Sequence, residues 1–501
     1  MTTHRDWFGI DVGKRAARIR SRPLGHILRE ALSNSLDAGA AAVSIVCRPC
    51  RPTETQRGGL RAFEFACTDD GRGCDDPEIL RRVGSTTSDL SAETRGRFGQ
   101  GLIDLIAVSE SAEIRTLGHR LVFDKDGCRI AAARNRVSGL ALTLTLRHEG
   151  EGFGELDDYF ARVILPDGVA LTFNGRQIGR RVPKRLVAGV KLATVLYDPA
   201  KDRVRRCRRP TTVEIHPQHD GSPMIHELGI PVAVAPWELP YDINVLQKTP
   251  LDADRDMLPD EYKRRLIGCL VGPMSDAYIE YMNERGSAPA EIAGDRRNAA
   301  SLSGEAKRKL VRTVTGADPE DIVRRNPLDP DDVSESQELE SRGLAPVNRG
   351  ALPPGVSEVL ASAPTVAAKH DELCKAHFAS ARLPAETDRQ RACIAAYKTI
   401  AEALLERRVG FTRFRGGPGA TWADGVIGLN IDADHLWNDP LCEESVGTIL
   451  HECAHAAVSG HAIAFAEEVQ RLGGKLAGWV GRNQQRWEEL QDRIKRPARR
   501  T

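Results

Sequence analysis

No stretch of this 501-residue chain stays apolar over the roughly 18–20 positions that a bilayer-crossing helix needs. The opening Met1-Thr-Thr-His-Arg-Asp-Trp-Phe lacks the charged-then-apolar pattern of a secretory leader, so the expectation is a cytoplasmic chain without a membrane partner. Charge of one sign is scarce as well: 71 Lys and Arg against 70 Asp and Glu leave +1, which excludes a general attraction to nucleic acid. Two local basic clusters, Arg180-Arg-Val-Pro-Lys-Arg and Arg203-Val-Arg-Arg-Cys-Arg-Arg, keep a nucleic-acid partner open, although solvated loops are the plainer reading. Eleven scattered cysteines are too few for a disulfide scaffold. Cys47-Arg-Pro-Cys50 with Cys67 and Cys74 falls short of paired zinc-ligand spacing, and small buried hydrophobes are the favoured reading.

What remains is 41% hydrophobic and 28% charged, a globular composition long enough for two or three domains. Mixed helix-like and strand-like segments run to about residue 284. Residues 285–355 are rich in Pro, Gly, Asp and Arg and read as a linker or small helical segment. Apolar periodicity returns from about 356 to the charged tail. No fixed-period repeat is present.

Chemistry-bearing patterns lie at both ends. In His26-Ile-Leu-Arg-Glu-Ala-Leu-Ser-Asn-Ser-Leu-Asp-Ala-Gly, Ile27, Leu28, Ala31 and Leu32 form an apolar helical stripe, and Glu30, Asn34 and Asp37 share the other face. A carboxylate one turn from a carboxamide suits a water-orienting base beside a metal-binding group. Phe63-Glu-Phe-Ala-Cys then reads as a strand entering the turn Thr68-Asp-Asp-Gly-Arg-Gly, where an Asp accepts from an exocyclic amine and glycines admit a flat base. Gly96-Arg-Phe-Gly-Gln-Gly-Leu-Ile-Asp opens a helix whose free N–H groups favour phosphate, but it is not a P-loop.

In order, these are an E-x-x-x-N-x-x-D-A box, a D-x-G-x-G box and a G-x-F-G-x-G box. Together they resemble the GHKL ATPase superfamily, which includes type II topoisomerase ATPase subunits, MutL proteins, Hsp-ninety-class chaperones, microrchidia proteins and histidine kinases. The resemblance covers about the first 150 residues. It implies that Glu30 activates the hydrolytic water, Asn34 holds Mg²⁺ and Asp69 reads the adenine amine of ATP. Gly71 and Gly73 would line the base pocket, Gly96, Gly99 and Gly101 would wrap the phosphates, and Asp37 belongs to the same nucleotide-binding set. Glu30 argues for a hydrolase over a kinase. The family often places Thr after a Gly in a later strand, whereas Ser138-Gly139-Leu140 carries Leu; Thr143 or Thr145 could substitute, and that contact is left unassigned. Residues 155–284 look like the second, transducer-like domain of the topoisomerase and MutL branch, with Lys248 in Asn244-Val-Leu-Gln-Lys-Thr-Pro as the γ-phosphate lysine and Arg255 as a weaker alternative. The resemblance further implies an ATP-dependent homodimer, with Thr2 to Arg20 long enough for an exchanged arm.

Near the other end, Ile449-Leu-His-Glu-Cys-Ala-His contains HExxH. On a helix His451 and His455 lie one turn apart and can share Zn²⁺, with Glu452 beside the metal-bound water as base and Cys453 in the core. Ala420-Thr-Trp-Ala-Asp-Gly-Val-Ile-Gly-Leu-Asn reads as a hairpin about Asp424-Gly425. Residues 370–480 resemble small bacterial zincins of the SprT-like type, which makes His461 the third ligand, with Glu467 or Glu468 as alternatives and His435 a surface or cap residue. The expected fold is therefore α/β and α+β multidomain: a Bergerat-type α/β sandwich at 1–154, a transducer-like α/β domain at 155–284, the linker at 285–355 and a zincin-like α+β domain at 356–501. The expected function is an ATPase whose nucleotide-dependent dimer closure regulates a zinc peptidase acting on a protein substrate or on itself, as a stress or phage-defence (antiviral) effector. The alternative is a chaperone-like or DNA-associated ATPase clamp with a non-catalytic HExxH domain.

Overall fold

The computed structural model of the chain describes residues 12–50, 61–81, 91–96, 101–148, 153–198, 203–252, 257–328, 332–380, 383–415, 418–458 and 463–495. They form a mixed α/β chain with four sheets among the described residues. Contacts divide the chain into two compact units, one of 1–285 with 289–292 and 301–303, the other holding the rest through 501. No helix among the described residues is long and apolar enough to cross a membrane.

The first unit opens with α1 (Val12–Arg20) and α2 (Leu24–Asp37), with Pro23 at the start of the second. Strands β1 (Ala42–Pro49), β2 (Arg61–Asp69), β3 (Ser109–Asp124), β4 (Gly127–His148), β5 (Ala170–Phe173) and β6 (Arg176–Gln177) make a sheet of order β3-β4-β2-β1-β5-β6. Only the β1–β5 pair is parallel. Alternate residues of β1 and β2, namely Val43, Ile45, Cys47, Phe63, Phe65 and Cys67, point to one face, as the two-residue period of a strand dictates. Over that face lie the Ile27, Leu28, Ala31 and Leu32 stripe of α2, with α3 (Gly101–Val108) and α4 (Phe153–Ala161) beside it. Phe160 of α4 stacks on Phe173 of β5 with ring centroids 4.6 Å apart. Burial pushes the Cys47 and Cys67 thiols up to about 12, as expected of small hydrophobes in the core.

The same unit continues into β7 (Arg185–Asp198), β8 (Arg203–Pro217), β9 (Met224–Glu227), β10 (Ile230–Val234) and β11 (Tyr241–Val245), a sheet of order β10-β9-β11-β8-β7, followed by α5 (Asp260–Val271) and α6 (Ser275–Arg285). The second basic cluster is not a loop. It lies on β8, paired with β7, and Arg203, Arg205, Arg206, Arg208 and Arg209 are exposed there.

Residues 285–355 carry α7 (Ala290–Ala293), α8 (Arg296–Ser301), α9 (Gly304–Thr315), β12 (Ile322–Arg324), α10 (Asp332–Ser341) and β13 (Ala345–Val347). In the second unit β12 and β13 pair in parallel, and Val323, Leu339 and Val366 make a small core with α11 (Pro354–Val359) and α12 (Val366–Ser380) following in sequence. Then come α13 (Asp388–Leu405), β14 (Gly410–Phe414), β15 (Ala420–Ala423), β16 (Val426–Asn430), α14 (Asp434–Asn438), α15 (Glu443–Ala454), α16 (Ile463–Arg482) and α17 (Gln484–Lys495). The β15–β16 hairpin turns at Asp424 and Gly425, both at positive φ (47° and 84°), as a two-residue hairpin turn requires. Tyr397, Ile400, Ile427, Leu429, Ile449, Cys453 and Leu472 form one core between α13, the three-stranded sheet, α15 and α16. Cys453 is in that core, as the helical spacing requires.

Candidate functional site

Helix α2 is the wall along which the first set of residues meets. Glu30 is buried on it, and a Cβ added at Gly101 would lie 2.0 Å from Glu30 Oε2, so the carboxylate occupies the space that the missing side chain leaves. One turn on, Asn34 is exposed. Ser35 donates its hydroxyl to Asp69 Oδ2 at 2.8 Å. Asp37 accepts from the Arg95 N–H at 2.9 and 2.8 Å and from the Gly96 N–H at 2.6 Å. Ala38, which ends the helix, lies against Gly71, where a Cβ would meet the Ala38 carbonyl oxygen at 3.0 Å. Residues spaced along one helix thus touch all three glycine- or carboxylate-bearing segments.

Asp69 stands at the end of β2. Its Oδ1 accepts from the N–H of Gly71 at 2.9 Å and of Leu140 at 3.2 Å. With the Ser35 bond this makes three protein donors against about four acceptor positions on a carboxylate, so capacity for an outside donor remains. Gly139 is at φ 79°, and a Cβ there would meet Asp69 Oδ1 at 2.7 Å; Gly73 is at φ 67°, and a Cβ there would meet the Gly139 oxygen at 2.9 Å. These glycines let the turn and the β4 backbone close on each other.

Sequence reasoning missed Ser35, Arg95 and Thr116. Thr116 is fully buried, donates to the Gly139 oxygen at 3.0 Å and accepts from the Cys74 N–H at 2.8 Å. Thr116 is bonded to this turn, while Thr143 and Thr145 face Ala66 and Glu64 across the β2–β4 ladder. Leu140 serves through its main chain, which leaves no mark on side-chain identity. Gly99 and Arg255 lie outside the described residues.

Lys248 is buried, and its N–H donates to the Ala92 oxygen at 2.7 Å, which fastens the segment after β11 to the one that leads into Gly96. A cavity of about 830 Å³ opens beside these segments, lined in part by Arg95, Arg209, His216, Leu228 and Gln247.

In the second unit, α15 carries His451 and Glu452 and ends at His455. The imidazole centroids of His451 and His455 are 5.1 Å apart, and Phe465 of α16 packs on both at 4.9 and 4.6 Å. Burial lowers the pKa of both histidines, which keeps them neutral and able to ligate a metal. Glu452 is buried, and burial pushes its carboxyl up to about 8 against a hydrogen bond from the Trp422 backbone of β15. Among the described residues, no group of three or more His, Cys, Asp or Glu is placed to hold a metal ion. His461 lies outside the described residues. Glu467 is exposed, Glu468 pairs with Arg471 at 2.6 Å, and His435 Nδ1 faces Glu444 at 3.7 Å. Two of the expected zinc ligands are together here, and neither alternative glutamate joins them.

No family profile matches the chain, and no curated protein matches it in sequence. Solved structures do. One is described as the N-terminal domain of a DNA repair protein, at 14% identity and TM-score 0.32 over 54% of this chain and 98% of that one. Another holds the ATPase and transducer domains of DNA topoisomerase II from Balamuthia mandrillaris, at 12% identity and TM-score 0.29 over 49% of this chain and 82% of that one. The ATPase region of Saccharomyces cerevisiae topoisomerase II matches at 11% identity and TM-score 0.29, over 51% of this chain and 86% of that one. At these identities and scores the likeness assigns this chain no activity.

Proposed function

We propose that the first unit binds and hydrolyses ATP with Mg²⁺. The observation that carries this reading is the convergence of Glu30, Ser35, Asp37 and Ala38 on the Asp69–Gly73 turn, the Gly96 segment and Gly101. Asp69 keeps an acceptor position for the adenine amine, and Gly71, Gly73 and Gly139 let the backbone close around that carboxylate. Asn34, the exposed carboxamide one turn from Glu30, would hold Mg²⁺, whose charge offsets that of the phosphates. Gly96, Gly99 and Gly101 would wrap those phosphates at the start of α3. Glu30 would orient and deprotonate the attacking water, and Lys248 would stabilise charge on the terminal phosphate. The test is steady-state hydrolysis and equilibrium binding of ATP: Glu30→Gln should abolish turnover and keep binding, and Asp69→Ala should lose binding. A Glu30→Gln rate equal to wild type would overturn the reading.

The second unit is read as a zinc peptidase whose activity follows the nucleotide state through ATP-dependent homodimer closure. His451, His455 and His461 would bind Zn²⁺, which polarises a peptide carbonyl, and Glu452 would be the general base. Protein, or the chain itself, would be the substrate, in keeping with a stress or defence effector. Neutral imidazoles one turn apart and a buried Glu452 support this. Elemental analysis should find about one zinc per chain, lost in His455→Ala. The pairing of Glu468 with Arg471 at 2.6 Å, which takes one alternative ligand away from the histidines, favours a second reading, an ATPase clamp with a non-catalytic HExxH domain. That reading requires Glu452→Gln to leave function intact while Glu30→Gln removes it.

A further inference from the structure

A closed circuit of buried polar contacts runs through the first unit from α2 to the second sheet, and the ATPase reading gives no role to the Arg95 guanidinium at its centre. Asp37 holds the N–H groups of Arg95 and Gly96. The Arg95 guanidinium, 9% exposed as a residue, stays 3.3 Å from Asp37 Oδ1 through one terminal nitrogen and donates through Nε to the Leu228 oxygen at 3.0 Å. Its other terminal nitrogen donates to that same oxygen. Leu228 and Gly229, at φ 50° and 92°, make the turn between β9 and β10. The preceding Glu227 is buried and accepts from both the N–H and the hydroxyl of Thr249 at 2.6 Å. Thr249 follows Lys248, whose N–H returns to the Ala92 oxygen at 2.7 Å, three residues before Arg95.

We propose that Arg95 is a positioning residue, which sets the Lys248 segment and the phosphate-binding glycine segment in one register so that both act on the same nucleotide. The inference rests on the ATPase reading above. Arg95 is suited to the task because only a planar fork of donors reaches a carboxylate on one element and a main-chain oxygen on another. A buried guanidinium that loses either partner is left with a large desolvation cost, so the contacts hold or release together. The cavity of about 830 Å³ lies on the open side of the circuit, against Ala92, Arg95, Leu228 and Gln247. The circuit can therefore change its arrangement without displacing a packed core. Nothing in the G-x-F-G-x-G pattern includes Arg95, which stands just ahead of it.

The experiment uses the full chain and measures kcat, KM and ATP affinity for wild type, Arg95→Lys, Lys248→Ala and the double variant. Arg95→Lys keeps the charge and loses the fork. It should lower kcat about tenfold or more with less than about a threefold change in KM. The double variant should be no slower than Lys248→Ala alone, since Arg95 acts through Lys248. Thr249→Val, which removes one donor on the far side of the circuit, should give the same kcat-first loss, and it stands in if Arg95→Lys does not fold. Losses that multiply in the double variant, or an unchanged kcat in Arg95→Lys, overturn the inference and leave the ATPase reading intact. Wild type turning over no faster than Glu30→Gln overturns both.

Discussion

Single atoms decide the most at Gly101. The Glu30 carboxylate fills the place of a side chain there, so Gly101→Ala would bring a methyl group to 2.0 Å from Oε2 and force the carboxylate aside. Misplacing a catalytic group by about 1 Å costs on the order of a hundredfold in rate. On the proposed ATPase reading, Gly101→Ala is therefore expected to cut kcat by at least about that factor, as read by turnover. His226 gives a second residue-scale expectation. It is fully buried, its Nε2 bonds the Arg162 oxygen at 3.0 Å, and Nδ1 finds no partner among the described residues. Burial pushes its pKa down to about 4 from the ordinary 6.5, opposed by Asp242 and reinforced by Arg181. The unfolded chain takes up the proton first, so this contribution to stability is complete above about pH 6.5 and drains away as pH falls toward 4. The urea midpoint of wild type should fall more between pH 7 and 5 than that of His226→Gln, and equal losses would remove His226 as the cause.

At the scale of elements, what was legible follows from helical spacing. The Glu30, Asn34 and Asp37 pattern and the apolar stripe opposite it are fixed by 3.6 residues per turn, and α2 forms with that stripe buried. The HExxH pair is readable for the same reason. Ser35 to Asp69, Thr116 to Gly139 and Arg95 to Leu228 are pairings between elements far apart in sequence, set by sheet order and turn geometry, which no local spacing encodes. The Asp424-Gly425 turn was legible because positive φ at both positions narrows the choice of residues. A prediction at this scale concerns the start of α13, which packs under α15. Thr387 accepts from the Gln390 N–H at 3.1 Å and Gln390 returns a bond to the Thr387 N–H at 3.2 Å. Thr387→Ala should cost about 1 kcal/mol of second-unit stability, measured by denaturant titration.

Across the whole molecule, the residues proposed for ATP and those proposed for zinc belong to separate compact units. On the proposed readings of the two units, a chelator specific for zinc should abolish proteolysis and leave ATP turnover unchanged, measured in the same preparation with Mg²⁺ restored. The first sheet draws a further consequence from its one parallel pair. One edge of β1 pairs with β2, and along the other edge Ala42 to Ile45 pair with Ala170 to Phe173 of β5. On the ribosome, helix α2 and strands β1 and β2 emerge long before the strand that completes them. Until then β1 presents an open row of amides and carbonyls, a template for pairing with any other nascent chain. A fragment stopped at residue 154 would be frozen at that stage. It should collect in the insoluble fraction of a cell that makes the fragment ending at 303 in soluble form.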